Sequence, residues 1–318
     1  MSQPIRLGTL SRDEIHVDKR RVGISYSGGG PLVLVELGCA KAFIECGIRP
    51  VAIAGVSAGA LAGAAHALDP VDGAGIDLAC ELLADIHRDT LALGWRTIAW
   101  RLLRKRTKFT SLGDNAPIGP RVVQGIHRRF EMQDVTLGSF PESGRPRLMI
   151  AATDRLSGES YWFPPETPLP EALIASSAIP AVFPWVHVER DGQSRVLVDG
   201  GVVNNQPISE LAIEEHCGTL FVCAVGSSMP ALMPTNALNN ALVCVDLMMH
   251  QAMKLEEELV RTKLGDRATI HHIHPPVAVE VQNYQFTRPI IRAVVEESRR
   301  LTVEWLEGLG FMQPTPAA

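Results

Sequence analysis

The sequence predicts an α/β protein with a parallel sheet covered by helices. The first observation is that a short apolar strand, a glycine-rich turn and a helix follow each other twice within the first quarter of the chain. The second is that further apolar, strand-like segments alternate with helical ones along the rest of the chain. This alternation is typical of parallel sheets, whose sites lie where strands end and helices begin.

The composition fits a folded globular protein. The chain has 318 residues, of which 46% are hydrophobic and 20% charged, and its net charge is -5. This charge gives no indication of nucleic-acid binding. The N-terminus lacks the apolar core of a signal peptide, and the longest apolar stretch, residues 51–65, is too short to span a membrane. Six cysteines without CxxC spacing predict reduced thiols and a cytoplasmic protein.

We expect one catalytic domain. It covers residues 21–310 and includes a C-terminal helical portion. Residues 1–20 form an N-terminal extension and residues 311–318 a tail. The sequence contains no repeat, low-complexity tract or convincing linker that would divide this domain.

The first two predicted strands each lead into a glycine turn. Residues 21–26 form the first strand, and Pro31 suits the first turn of the following helix, which stops at Gly47. Residues 51–54 form the second strand, and a helix of small residues runs to Leu68.

Later elements follow from apolar runs for strands and amphipathic runs for helices. Strands are predicted at residues 147–153, 159–163, 195–198, 219–225 and 268–274. Helices are predicted at residues 77–106, 169–177, 207–217, 237–263 and 289–309.

Ser57 stands between Gly55 and Gly59 at the second strand-to-helix turn. A serine in a Gly-x-Ser-x-Gly turn between strand and helix has the pattern of a nucleophile elbow. The glycines allow a sharp backbone turn that exposes the hydroxyl. Such short patterns also occur by chance, so the remaining residues must support this interpretation.

Gly28, Gly29 and Gly30 end the first strand and precede a helix. Their backbone N–H groups can approach a substrate oxygen closely, and the helix dipole favours negative charge there. A nucleotide-binding loop is disfavoured because no Lys-Ser/Thr pair follows and Val33 stands where a dinucleotide fingerprint needs a small residue. A structural turn without a ligand remains an alternative.

Asp199, followed by Gly200 and Gly201, ends another apolar strand. Asp-Gly is a common turn dipeptide, but at the same sheet edge as Ser57 the carboxylate becomes a candidate base. Asp154 also ends a strand, and we interpret it as a turn anchor rather than a second base.

Five ordered segments resemble the patatin-like phospholipase family. They are residues 21–30 (RVGISYSGGG), 53–60 (IAGVSAGA), 151–154 (AATD), 176–184 (SSAIPAVFP) and 198–204 (VDGGVVN). The resemblance implies a three-layer α/β/α fold with a mostly parallel central sheet and hydrolysis of lipid acyl esters without a metal or cofactor. It also implies a dyad of Ser57 as nucleophile and Asp199 as base, with Gly28, Gly29 and Gly30 at the oxyanion hole.

The chain departs from the family pattern after the triple glycine. The family often continues as x-Arg-Gly, whereas this chain has Pro31, Leu32 and Val33. The cationic side chain is therefore missing, and Pro31 contributes no N–H. This departure fits a different acyl substrate or a slower enzyme.

Two other functions remain open. An α/β-hydrolase triad could use Ser57, a carboxylate and a late histidine, either His272 or His274. The same histidines could bind a metal, although a structural role is the favoured interpretation. The segment from Trp95 to Lys108 has six cations and no acid, and the favoured interpretation is a surface helix that packs its apolar side on the sheet. It could instead contact an anionic membrane. A catalytically degenerate protein kept for membrane docking or protein contact is the other alternative.

Overall fold

A computed structural model describes residues 10–85, 111, 113–190, 192–225, 237–276 and 286–311. The strands are β1 Asp18–Tyr26, β2 Ala52–Gly55, β3 Arg147–Asp154, β4 Glu159–Trp162, β5 Val186–Arg190, β6 Gln193–Val198, β7 Cys217–Cys223 and β8 Thr269–Ile273. The helices are α1 Val33–Glu45, α2 Ala58–Leu68, α3 Ala74–Ala84, α4 Ile118–Phe130, α5 Ser139–Glu142, α6 Leu169–Ser176, α7 Ser209–Ile213, α8 Ala237–Leu264 and α9 Arg288–Gly308.

The strands form one sheet in the order β5-β6-β3-β2-β1-β7-β8, with β4 also paired to β3. Five of them, β3-β2-β1-β7-β8, pair in parallel. The C-terminal half of β3 pairs antiparallel with β4 and β6, and β5 and β6 form an antiparallel pair. The sheet is therefore mostly parallel, and the carboxyl ends of β1 and β2 lie side by side at one edge.

Helices cover both faces of the sheet. In β7, Phe221 and Cys223 belong to the core cluster that includes α1, α2 and α9, whereas Leu220 and Val222 belong to the cluster that includes α7 and α8. This alternation follows from the two-residue period of a strand, which sends successive side chains to opposite faces. The predicted three-layer α/β/α fold is confirmed.

Three parts of the fold differ from the prediction. Helix α4 was missed because Gly119, Pro120 and Gly125 weaken its helical pattern, and strand β5 was missed as well. The helix predicted at 207–217 is only the five residues of α7, and Cys217 begins β7 instead. The helix predicted at 77–106 overlaps α3, Ala74–Ala84, and its residues 86–106 lie outside the described part of the chain.

The segment from Trp95 to Lys108 lies outside the described residues, so its predicted membrane contact stays a prediction. Among the helices that are described, none is both long enough and apolar enough to cross a bilayer. The six cysteines, all in the described part of the chain, are free thiols.

Candidate active site

Ser57 occupies a strained turn between β2 and α2. Its φ is 53°, in the left-handed region that non-glycine residues rarely adopt. Two close backbone approaches hold this turn: a Cβ on Gly55 would overlap the carbonyl oxygen of Gly59, and a Cβ on Gly59 would overlap that of Tyr26. The glycines on both sides of Ser57 are therefore required by packing as well as by turn geometry.

The Ser57 hydroxyl donates a hydrogen bond of 2.6 Å to Oδ2 of Asp199. The two residues are 142 positions apart in the chain and meet because β2 and β6 both deliver their ends to this edge of the sheet. The other carboxylate oxygen, Oδ1, accepts the backbone N–H of Gly201 at 2.9 Å. Ser57 is 3% exposed and Asp199 is 1% exposed, so the pair is almost dry.

Burial raises the pKa of Asp199 from its ordinary value to about 6. The hydrogen bonds from Ser57 and from the Gly201 amide stabilise the carboxylate and oppose part of this rise. The carboxylate is therefore a stronger base than an exposed aspartate, yet it is still ionised at neutral pH.

The glycine turn after β1 lies against the same pair. Asn205 holds it in two places: the Gly28 amide donates to the Asn205 carbonyl at 3.2 Å, and the Asn205 side-chain amide donates to the Gly28 carbonyl at 3.1 Å. The amides of Gly29 and Gly30 have no acceptor within the described residues. Of the three glycines predicted to supply N–H groups, Gly28 is thus engaged by the protein, and Gly29 and Gly30 keep theirs available.

Ser176, at the end of α6, supports the Ser57 turn. Its hydroxyl accepts the backbone N–H of Ser57 at 2.9 Å and donates to the carbonyl of Ala151 at 2.6 Å. Ser176 is fully buried, so these hydrogen bonds are shielded from water. The sequence analysis gave no role to Ser176 or Asn205, because no local pattern links either residue to Ser57. Their only indication of a role was their position in or beside the segments that resemble the family.

A cavity of about 490 Å³ opens at Ser57. Its lining includes Gly30, Ser57 and Ser177, while Ile179, Phe183 and Phe286 belong to its apolar walls. We call it the substrate cavity.

The two histidines considered from the sequence, His272 and His274, contact groups other than Ser57 and Asp199. Nε2 of His272 is 3.0 Å from a carboxylate oxygen of Glu257, and Nδ1 of His274 is 2.7 Å from the carbonyl of Ala224. Burial lowers the pKa of His272. The described residues include no cluster of three or more histidine, cysteine or acidic side chains suited to a metal.

Asp154 has the contacts of a turn anchor. Its Oδ1 accepts the backbone N–H of Leu156 at 3.0 Å, and its Oδ2 accepts from Arg195 at 3.1 Å. Its carboxylate is therefore held by the turn after β3 and by a cation from β6, which agrees with the role expected from the sequence.

The sequence profile of the patatin-like phospholipase family matches residues 24–212. This chain belongs to that family. The match contains Ser57, Asp199 and all three glycines of the turn after β1. It agrees with the resemblance seen in the five sequence segments.

Curated relatives with the same domain come from mycobacteria. The uncharacterized NTE family protein Rv1063c of Mycobacterium tuberculosis is 30% identical over 211 residues, which cover 65% of this chain and 50% of that protein. The uncharacterized NTE family protein Rv2565 of the same organism is 28% identical over 263 residues, covering 80% of this chain and 39% of that protein. The chain spans half or less of the length of these relatives.

A solved structure shares the fold at low sequence identity. Human GIVD cytosolic phospholipase A2 aligns with a TM-score of 0.53 and 13% identity, covering 95% of this chain and 62% of that protein. At this identity the likeness supports the patatin-like architecture, and it carries no information about substrate.

Proposed function

We propose that this patatin-like protein is a serine-dependent carboxylic ester hydrolase that acts on lipids, similar to a phospholipase A or lysophospholipase. The observation that carries the proposal is the buried hydrogen bond of 2.6 Å between the Ser57 hydroxyl and Asp199. It joins a nucleophile to a base within reach, which is the geometric requirement for acyl transfer.

In the proposed acylation step, Ser57 Oγ attacks the ester carbonyl carbon while its proton passes to Oδ2 of Asp199. The carbonyl oxygen becomes an oxyanion, for which the amides of Gly29 and Gly30 are the proposed donors. When the intermediate collapses, the ester C–O bond breaks and the leaving alcohol takes the proton from Asp199. The acyl group remains on Ser57.

Deacylation uses the same two residues, with water as the nucleophile and Ser57 as the leaving group. Water attacks the acyl-serine carbonyl and gives a proton to Asp199, which returns it to Ser57 Oγ as the serine leaves. The products are a fatty acid and the free enzyme. The raised pKa of Asp199 suits both halves, because the carboxylate must accept a proton and then give it back.

Two observations support a lipid as substrate. The first is membership of the patatin-like phospholipase family. The second is the substrate cavity, whose walls beyond Ser57 include the apolar side chains of Ile179, Phe183 and Phe286. An acyl chain that lies against these walls loses its contact with water, which favours binding of a lipid.

The test compares Ser57→Ala and Asp199→Asn with the wild type on a panel of lipid esters. Each substitution removes one partner of the dyad, so we expect hydrolysis to fall by a factor of about a thousand or more. Products are measured by mass spectrometry, and circular dichroism checks that each variant is folded.

His272→Ala and His274→Ala are the control variants. Both histidines have partners of their own, so we expect them to retain activity within a few-fold. Full hydrolysis by Ser57→Ala would refute the proposal. Severe loss in a folded histidine variant would favour the Ser-Asp-His triad instead.

A further inference from the structure

A second apolar cavity lies behind the substrate cavity. Every side chain that lines it is aliphatic or absent, as at Gly75. It lies among α2, α3, α4 and α6, and Ala64, Leu78, Val122 and Leu173 are examples of the residues that each helix contributes. We call it the distal cavity.

The two cavities share part of their walls. Four residues, Val33, Leu61, Leu83 and Ile118, line both of them. The two cavities are therefore adjacent, and a chain that extends from Ser57 into the distal cavity must pass between these four side chains. All four are aliphatic, so the path offers no hydrogen-bond partner at the point where the cavities meet.

The chemistry of the lining identifies what the distal cavity can hold. A polar or charged group would lose its hydration there without gaining a hydrogen bond, which is strongly unfavourable. An apolar ligand instead gains free energy by leaving water for this apolar lining. A linear hydrocarbon chain needs no hydrogen-bond partner. Because the distal cavity adjoins the substrate cavity, that chain can belong to a substrate held at Ser57.

We propose that the acyl chain of the substrate runs from Ser57 past Leu61 and Ile118 into the distal cavity. The inference rests on the proposed function, and it adds that the protein selects long, unbranched acyl groups. The depth of the distal cavity then sets chain-length preference, and Val122 on its α4 wall is a specificity-determining residue.

The test uses a matched pair on one helix. Val122 is 8% exposed and lines the distal cavity, whereas its neighbour Val123 is 50% exposed on the outer side of α4. Val122→Phe fills the distal cavity, and Val123→Phe adds the same side chain outside it. The measured quantity is the second-order rate at which a butyl and a hexadecyl fluorophosphonate label Ser57.

We expect the wild type to react faster with the hexadecyl probe. Each methylene removed from water improves binding about fourfold, so exclusion of two or more methylenes lowers the rate more than tenfold. Val122→Phe should therefore lower the ratio of long-probe to short-probe rates at least tenfold and leave the butyl rate within twofold. Val123→Phe should keep the wild-type ratio.

A second variant covers the case in which Val122→Phe does not fold. Ala79→Leu narrows the same cavity from its half-buried α3 wall, and it should lower the ratio in the same direction. An unchanged ratio in a folded cavity variant would overturn the acyl path alone. If neither probe labelled Ser57 in the wild type, the proposed function would fail, and the acyl path with it.

Discussion

At the scale of single residues, the protonation of Asp199 should control the rate. Because the base must be ionised to accept the Ser57 proton, we expect kcat/KM to rise tenfold per pH unit below about pH 6 and to level off above it. The measurement is a pH–rate profile with a soluble short-chain ester. The assignment of Asp199 as the base would be contradicted by a midpoint that lay near the pKa of an ordinary histidine and shifted when His272 or His274 was replaced.

At the scale of elements, the end of α6 holds the Ser57 turn against β3 through Ser176. Ser176→Ala leaves the Ser57 amide and the Ala151 carbonyl without this shared partner inside the protein. Since the hydroxyl touches the backbone of Ser57 rather than its reacting oxygen, Ser176 is a positioning residue. We expect kcat to fall about tenfold or more, with KM within a few-fold and the pH midpoint unchanged.

The control for this prediction is Ser298→Ala. Ser298 is also fully buried, but its hydroxyl has no partner within the described residues and it lies on α9, away from Ser57. It should keep wild-type kcat. If both variants lost activity in proportion to their loss of thermal stability, Ser176 would have a structural role only.

At the scale of the whole molecule, buried carboxyl groups should make the fold less stable at alkaline pH. Glu36 is fully buried, and burial raises the pKa of its carboxyl group well above the ordinary value of 4.5. Above about pH 4.5, Glu36 loses its proton in the unfolded chain but keeps it in the folded chain. The free energy of unfolding therefore falls as pH rises from the pKa of Glu36 in the unfolded chain to its pKa in the folded chain. The loss is about 1.4 kcal/mol for each unit between these two pKa values.

Glu36→Gln removes this proton while keeping the shape of the side chain. Its melting temperature should decline less than that of the wild type between about pH 5 and pH 9, as measured by differential scanning fluorimetry. Glu258→Gln, at an exposed glutamate on α8, is the matched control and should follow the wild-type curve. Identical slopes for all three proteins would exclude Glu36 as the source of the pH dependence.

The sequence could predict those features that depend on local patterns. The glycines beside Ser57 and Asp199 mark the turns after two strands. Strand β6 runs antiparallel to β3, so its delivery of Asp199 to the carboxyl end of β2 depends on the whole fold. Partners across the fold could not be predicted in this way. Ser176 and Asn205 act through hydrogen bonds to the turns that hold Ser57 and Gly28, and no spacing in the sequence identifies such contacts.

Val33, which departs from the family pattern, also lines both cavities. In the sequence, Leu32 stands where the family often has arginine and Val33 where it often has glycine. In the structure Val33 contributes to the wall shared by the two cavities. Valine in place of the family's glycine thus adds apolar surface along the proposed acyl path.

The most direct test of the central claim is to identify by peptide mass spectrometry which residue reacts with a fluorophosphonate. The account predicts a single adduct on Ser57, absent in Ser57→Ala and formed far more slowly in Asp199→Asn. An adduct on another residue, or labelling that is undiminished when Asp199 is replaced, would contradict it.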